Sequence, residues 1–298
     1  MERKELGEQI LDLIPGFFGL SAGALFGLLI HFQRRGLETY DPLVGAFISV
    51  SAMSIFLWGL SPLFIDFNWF VSKAAFIFFL SGLFFPATAQ VAQVFSIARV
   101  GPALTSAIGA FAPFFAAGPA IFLLGEPWGF QLIIGMLLMT VGLLFSAFST
   151  KSLKRTWPVW VLLLPLGASL ARGIIQPIIK IGLSDIPSPF FATLVLGSVS
   201  TFILAVILVF TNKTNLLLKS SKGLKWFTIS GIINAFGILS INYAIFLGGV
   251  VIAAPLGATA PIWALLFGFF IFKNEQLNSR HIFIAILVVL GSVLIVTR

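Results

Sequence analysis

The chain has 298 residues, of which 59% are hydrophobic and only 9% are charged, whereas soluble domains carry about 25% charged residues. This composition excludes an ordinary soluble protein and indicates a protein embedded in a membrane. Cysteine is absent, which excludes disulfides and thiolate metal sites, and the net charge of +8 comes from lysines and arginines in short connections, which favours topology signals over a nucleic-acid surface.

Apolar runs fill the chain and predict ten membrane-spanning helices, because each run is near the roughly 20 residues that a helix needs to cross a bilayer. A membrane barrel would instead need alternating segments of about ten residues, and the sequence shows no such alternation. The predicted spans are residues 13–31, 43–65, 74–98, 102–124, 130–148, 158–182, 188–210, 226–247, 250–272 and 282–296.

The two halves of the chain resemble each other. The stretch VGPALTSAIGAFAPFFAAGPAIFLLGEPWGF (100–130) aligns with GVVIAAPLGATAPIWALLFGFFIFKNEQLNS (249–279), and the alignment sets Glu126 against Glu275. A repeat of five spans is odd in number, so the second copy must enter the membrane from the opposite side. Inverted repeats are typical of secondary transporters, whose substrate site lies near the membrane midplane between the two units.

The sequence therefore predicts an all-α integral membrane protein with ten transmembrane helices arranged as two inverted five-helix repeats. The first repeat is expected to comprise residues 1–150 and the second residues 151–298. Lysine and arginine are more frequent in the loops on one side than on the side of the termini, which favours termini outside the cell.

The repeated stretch carries a family resemblance. It reads GAFAPFFAAGPAIFLLGE in the first half (109–126) and GATAPIWALLFGFFIFKNE in the second (257–275). With the ten predicted spans, this pattern resembles the EamA branch of the drug/metabolite transporter superfamily over nearly the whole chain. The resemblance implies transport of a small metabolite, often efflux of amino acids or related solutes, and termini in the cytosol. The orientation stays open, because the loop charges and the resemblance disagree.

A polar stripe crosses the sixth predicted span. Ser169, Arg172, Gln176 and Lys180 follow spacings of three, four and four, so they share one face of a helix. Arg172 is the one charge placed near the middle of a span, where it costs roughly 2.5 to 3.5 kcal/mol. The guanidinium either binds a carboxylate or phosphate of a solute, or it bonds carbonyls and glutamines and holds helices together.

Two further polar stripes favour a cavity. Gln90 and Gln93 lie on the third predicted span, and Asn234, Asn242 and Tyr243 lie on the eighth. Amides offer uncharged hydrogen-bonding groups that suit a zwitterion or a polar metabolite, although each could equally join two helices. The candidate substrate-binding residues are Arg172, Gln176, Ser169, Gln90, Gln93, Asn234, Asn242, Tyr243 and Trp263.

Prolines mark both the fourth and the ninth predicted span, and Pro113 of the fourth aligns with Pro261 of the ninth. Pro113 and Pro119 lie in the fourth span, and Pro255 and Pro261 lie in the ninth. An interior proline removes a helix hydrogen bond. Interrupted helices at matching positions of two halves indicate a transporter site, so these four prolines are the predicted helix breaks or hinges.

The predicted function is secondary transport or exchange of an amino acid or an organic anion by alternating access, with no catalytic residue, cofactor or metal. All ten acidic residues lie in tails, connections or span ends, which disfavours proton-coupled antiport of cationic drugs. A membrane-embedded enzyme acting on lipid and a facilitator or channel are the alternatives. The expected partners are a small solute and the lipid of a bacterial inner membrane, without nucleic acid, and the oligomeric state stays open.

Overall fold

The structure is a computed structural model, and it describes residues 2–109, 111–148, 157–217, 221–273 and 279–297. Within these ranges the chain forms thirteen α-helices, a few short 3-10 turns and no strand. The helices are α1 (Glu2–Gly36), α2 (Pro42–Phe64), α3 (Lys73–Phe84), α4 (Ala87–Val100), α5 (Pro102–Gly109), α6 (Ala112–Leu124), α7 (Phe130–Phe148), α8 (Leu163–Asp185), α9 (Pro189–Phe210), α10 (Ser221–Gly248), α11 (Val250–Gly257), α12 (Ala260–Phe270) and α13 (Ser279–Val296).

Eight helical stretches among the described residues are long and apolar enough to cross a membrane. They correspond in place to eight of the ten predicted spans. The described apolar parts of α7 and α13, residues 130–142 and 283–296, are shorter. The prediction of an all-helical membrane protein is therefore confirmed, while the count of ten spans stays a prediction.

Short connections between long helices are fixed by caps that the sequence encodes. The Asp41 side chain accepts a hydrogen bond from the Leu43 N–H at 2.9 Å at the start of α2, and Pro42 occupies the first helical position. The Ser188 hydroxyl likewise accepts from the Phe191 N–H at the start of α9. Each cap satisfies a helix N–H that has no partner within its helix.

The third predicted span is divided, which the sequence analysis did not anticipate. The chain is extended at Phe85, and Pro86, which has no N–H to donate, separates α3 from α4. Ser200 of α9 replaces the missing helix bonds, because its hydroxyl donates to the Gly82 carbonyl at 2.7 Å and accepts from the Ala87 N–H at 3.0 Å. The predicted span is retained despite this division, because residues 73–100 together are long and apolar enough to cross a membrane.

The fourth and ninth predicted spans are also interrupted. The first is divided between α5 and α6, and the second between α11 and α12 at Ala258 and Thr259. Pro113 and Pro261 lie in the first turn of α6 and α12, where the missing N–H costs nothing. Pro119 and Pro255 lie inside α6 and α11, which continue past them.

The helices pack so that two of them occupy central positions. Helix α1 packs against α10, α11 and α12, and helix α8 packs against α3, α4, α5 and α6. Helix α2 contacts α9 and α10, and α7 contacts α13. The interruptions between α5 and α6 and between α11 and α12 therefore meet α8 and α1 in the middle of the bundle.

Candidate functional site: a polar chamber around Arg172

Arg172 lies in the middle of α8, where this helix presses against an interruption. A Cβ atom placed on its neighbour Gly173 would lie 2.6 Å from the Ala112 carbonyl oxygen at the start of α6, so only glycine allows this approach. Three small cavities of about 40, 20 and 10 Å³ are lined in part by Arg172. We call this group of cavities the chamber. Gly257 and Ala258, where α11 ends, line its two larger parts.

The guanidinium of Arg172 has neutral partners. Its Nη2 donates to the Gln93 side-chain oxygen at 2.7 Å, and its Cζ lies 5.5 Å from the ring centroid of Phe26. Its Nε is buried and has no hydrogen-bond partner among the described residues. The one ion pair in the described part of the chain joins Lys213 to Asp41. No described carboxylate therefore neutralises Arg172.

A chain of amides holds the guanidinium. Arginine only donates hydrogen bonds, so the Gln93 group facing Arg172 must be its oxygen, and the Gln93 nitrogen then donates to the Gln33 side-chain oxygen at 3.1 Å. Gln33 is fully buried in α1. Two helices from different parts of the bundle, α4 and α1, thereby fix the position of one charge on α8.

Two amide oxygens have no partner beside the same chamber. The Thr193 hydroxyl donates to the Pro189 carbonyl at 2.7 Å, so it can only accept from the Asn242 nitrogen, which lies 2.9 Å away. Asn242 Oδ1 is consequently left as an acceptor without a described partner, as is Gln176 Oε1. Arg172, Gln176 and Asn242 line one cavity. The chamber thus combines a cation with unpaired acceptors.

The remaining polar candidates near Arg172 are already bonded. The Ser169 hydroxyl bonds the Ile108 carbonyl near the end of α5 at 3.0 Å and the Pro165 carbonyl of its own helix at 2.8 Å. Gln90 and Asn234 line the smallest cavity, and the Gln90 nitrogen lies 3.4 Å from the Ser49 hydroxyl. These residues shape the wall of the chamber.

Two candidates lie elsewhere, because neither lines a cavity that contains Arg172. The Tyr243 ring stacks on Phe18 with centroids 5.1 Å apart. Trp263 stacks on Phe267, and a Cβ atom at Gly27 would lie 2.7 Å from the Trp263 Cβ, so this tryptophan packs against α1.

Lys180 also departs from its expected place in the polar stripe. Its ammonium donates to the carbonyls of Ile245 and Phe246 at 2.8 and 3.0 Å, in the last turn of α10. This lysine serves a helix end and does not line the chamber.

The sequence analysis missed Gln33 and Phe26. Gln33 lies beyond the predicted end of the first span, although α1 continues to Gly36, so the glutamine was assigned to a loop. Phe26 lines all three cavities, but one phenylalanine among 34 carries no signal in the sequence.

These features define a class of protein, a helical membrane protein that crosses the bilayer several times and encloses a polar chamber where helices are interrupted. The model of the EamA-like transporter family matches residues 13–148 and 159–297. The chain belongs to this family, which is part of the drug/metabolite transporter superfamily. The resemblance inferred from the repeated stretch is therefore confirmed.

Comparison with solved structures gives the fold alone. One crystal structure of a protein matches with a TM-score of 0.69 at 13% sequence identity, over 96% of this chain and 96% of that chain. Comparison with curated proteins by sequence gives no match. The family is one of membrane transporters.

Proposed function

We propose that this protein is a secondary transporter that exports or exchanges a zwitterionic amino acid across a bacterial inner membrane. The observation that carries the proposal is the guanidinium of Arg172, which is held beside cavities and helix interruptions by neutral groups alone. A charge in this position costs free energy unless a solute or water compensates it. A carboxylate is the simplest compensating group, because it accepts two parallel bonds from a guanidinium.

The unpaired amide oxygens favour a zwitterion over a simple anion. Asn242 Oδ1 and Gln176 Oε1 can each accept a hydrogen bond from an ammonium group, and a buried acceptor without a partner costs about 1 to 3 kcal/mol. An organic anion without an ammonium group would neutralise Arg172 and leave both oxygens unpaired. The same chamber therefore provides a binding group for each end of an amino acid.

The helix contacts support ten spans arranged as two inverted units, residues 1–150 and 151–298. Helix α1 packs against α10, and α8 packs against α3 and α4. Helix α2 packs against α10, and α9 packs against α3. Each of these contacts of α1 and α2 has an equivalent contact of α8 and α9, because α1 and α2 of the first repeat correspond to α8 and α9 of the second, and α3 with α4 corresponds to α10. Such pairing is expected when two repeats face each other around a shared axis.

The size of the chamber favours alternating access. Its largest part is about 40 Å³, which accommodates water but not an amino acid. A solute therefore binds only when the helices around Arg172 move apart. The interruptions in the fourth and ninth predicted spans supply places where half-helices can move without bending a continuous helix.

Three related ligands test whether the chamber binds both the carboxylate and the ammonium group of an amino acid. A neutral amino acid, its N-acetyl derivative and the corresponding amine differ only in which charged group they retain. Thermal unfolding of the purified protein, followed by the fluorescence of its seven tryptophans, should show stabilisation by the amino acid and little by the other two. Stabilisation by the N-acetyl derivative alone would indicate an organic-anion transporter.

Substitution of Arg172 tests the chamber itself. Arg172→Lys keeps a positive charge but loses the fork that binds a carboxylate, so we expect the amino acid affinity to fall about 100-fold, together with transport in liposomes. Arg99→Lys is the matched control, because Arg99 is an exposed arginine at the end of α4. Transport by Arg172→Lys at the rate of the control would contradict the proposed site.

A further inference from the structure

Helices α6 and α11 share one side of the chamber. Ala112 at the start of α6 and Gly257 at the end of α11 line the same cavity. The two helices contact each other and are antiparallel. Both extend from the chamber to the end of the bundle at which Gly248 lies against Pro15 of α1. We call this the Pro15 end. Helix α11 has eight residues and is about 12 Å long, and it extends from this end to the chamber, which Gly257 lines.

Glu126 joins the two helices at the Pro15 end. It follows Gly125, which ends α6 with a φ of 66°. One carboxylate oxygen of Glu126 accepts from the Val250 N–H at 2.8 Å, and the other accepts from the Val251 N–H at 2.9 Å. A carboxylate at the N-terminus of a helix satisfies unpaired N–H groups and complements the helix dipole. Glu126 thereby holds the last turn of α6 to the first turn of α11.

A lysine completes the junction from the other side. Lys180 donates to two carbonyls in the last turn of α10, three and two residues before this helix ends at Gly248. The Lys180 ammonium and the Glu126 carboxylate also attract each other electrostatically. An acidic and a basic side chain therefore stabilise the two helix ends at the connection between α10 and α11, the acidic one at the N-terminus of α11 and the basic one at the C-terminus of α10.

The backbone between them leaves no room for a side chain. Gly249 has a φ of 83° and a ψ of 171°, a region that almost only glycine adopts. A Cβ atom on Gly249 would lie 3.0 Å from both carboxylate oxygens of Glu126. The glycine thus allows the close approach on which the two hydrogen bonds depend.

We propose that Glu126 is a positioning residue that keeps the solute path closed at the Pro15 end, by joining α6 of the first half to α11 of the second. This proposal rests on the proposed transport cycle and adds to it the contact that breaks when this end opens. Separation of α6 from α11 exposes the Val250 and Val251 N–H groups to water, which can replace the carboxylate. The closed state then has the two hydrogen bonds of Glu126 and the open state lacks them, so substitution of Glu126 should favour the open state.

The absence of cysteine in the chain provides a direct test. Ser106 lines the largest part of the chamber, and its hydroxyl has no partner among the described residues, so Ser106→Cys places a single thiol in the chamber. The rate at which a membrane-impermeant methanethiosulfonate modifies this thiol is measured in vesicles of both orientations. Cleavage of an N-terminal tag by added protease identifies the vesicles that expose the Pro15 end.

We expect Glu126→Gln in this background to label about tenfold faster from the Pro15 end and at an unchanged rate from the opposite end. Glutamine keeps the shape of the side chain but presents an NH₂ group to one of the two N–H donors. Glu126→Asp, which keeps the carboxylate, should show a smaller increase. Glu38→Gln, which changes an exposed acid outside this junction, should label like the parent.

The sidedness of labelling separates gating from a loss of stability. An equal increase from both ends would show that Glu126 only stabilises the fold, and unchanged labelling from the Pro15 end would show that it does not hold this path closed. Either result overturns the proposal. The assay contains no solute, so an error in the proposed amino acid specificity would leave its outcome unchanged.

Discussion

The two glycines that precede the interrupted helices make an instructive comparison. Gly101 precedes α5 with φ and ψ of 84° and 166°, and Gly249 precedes α11 with 83° and 171°. A Cβ atom at Gly101 would meet open space, whereas one at Gly249 would meet the carboxylate of Glu126. The two halves therefore repeat the backbone of this connection but not its surroundings.

The chamber shows the same division between a repeated backbone and unequal side chains. Arg172 of α8 corresponds by the repeat to a position near Ala24 of α1, which carries no charge. Amides line the chamber from α8 as Gln176, from α4 as Gln90 and Gln93, and from α10 as Asn234 and Asn242. Among the described residues, Gln93 alone bonds the guanidinium. In our interpretation, the backbone that the two halves share allows the helices to move, and the side chains that differ between the halves bind the solute.

Alanine at the two glycines should give the largest difference between the halves. Both substitutions place a side chain in a backbone region that costs about 1 to 3 kcal/mol. We expect Gly249→Ala to lower the free energy of unfolding by about 3 kcal/mol and Gly101→Ala by about 1 to 2 kcal/mol, because only the first also displaces Glu126. Unfolding in sodium dodecyl sulfate, followed by tryptophan fluorescence, measures both.

Glu126→Ala provides the control for this pair. In that background the carboxylate is gone, so Gly249→Ala should cost no more than Gly101→Ala. A difference that persists without the carboxylate would mean that the two backbones are not equivalent.

A second comparison concerns the third helix of each half. In the first half it is divided into α3 and α4, and Ser200 bonds both sides of the division. In the second half α10 is continuous from Ser221 to Gly248. We expect Ser200→Ala to lower the free energy of unfolding by about 2 kcal/mol, because it leaves the buried Ala87 N–H and Gly82 carbonyl without a partner.

Ser184→Ala is the matched control, since Ser184 is exposed and bonds only a carbonyl of its own helix. The same detergent titration should give a change of less than about 0.5 kcal/mol for this variant. Equal effects of the two serine substitutions would show that the division between α3 and α4 does not depend on Ser200.

Sequence patterns predicted where the long apolar helices lie, because a bilayer demands long apolar runs and most of these runs end at a polar connection. Patterns could not place the division at Pro86. Several predicted spans contain prolines, and whether a helix continues, as α6 does past Pro119, depends on partners from other helices. The hydroxyl of Ser200 is such a partner, and it lies 114 residues away from Pro86 along the chain.

The candidate site was predictable in part for a similar reason. Arg172 and the amides on α4 and α10 are conspicuous because polar residues are rare in such spans. Their individual contacts depend on the packing of helices that are distant in sequence, so Tyr243 and Trp263 could not be separated from Asn242 by pattern. Glu126 was placed at a span end, where an acid is ordinary, and its partners Val250 and Val251 lie in the other half.

The smallest effect is expected for an ion pair that is partly exposed to solvent. At the end of the bundle opposite Pro15, Lys213 pairs with Asp41 at 2.8 Å, and both side chains are about one-third exposed. Solvent and salt screen such a pair, so we expect Lys213→Ala to lower the free energy of unfolding by less than about 1 kcal/mol, and by less still at high salt. Gly249→Ala, which disturbs a carboxylate bonded to helix N–H groups, should keep its larger effect at every salt concentration. If the two substitutions were equally costly and equally sensitive to salt, the Glu126 junction would be an ordinary surface contact, and the comparison between Gly101 and Gly249 would lose its basis.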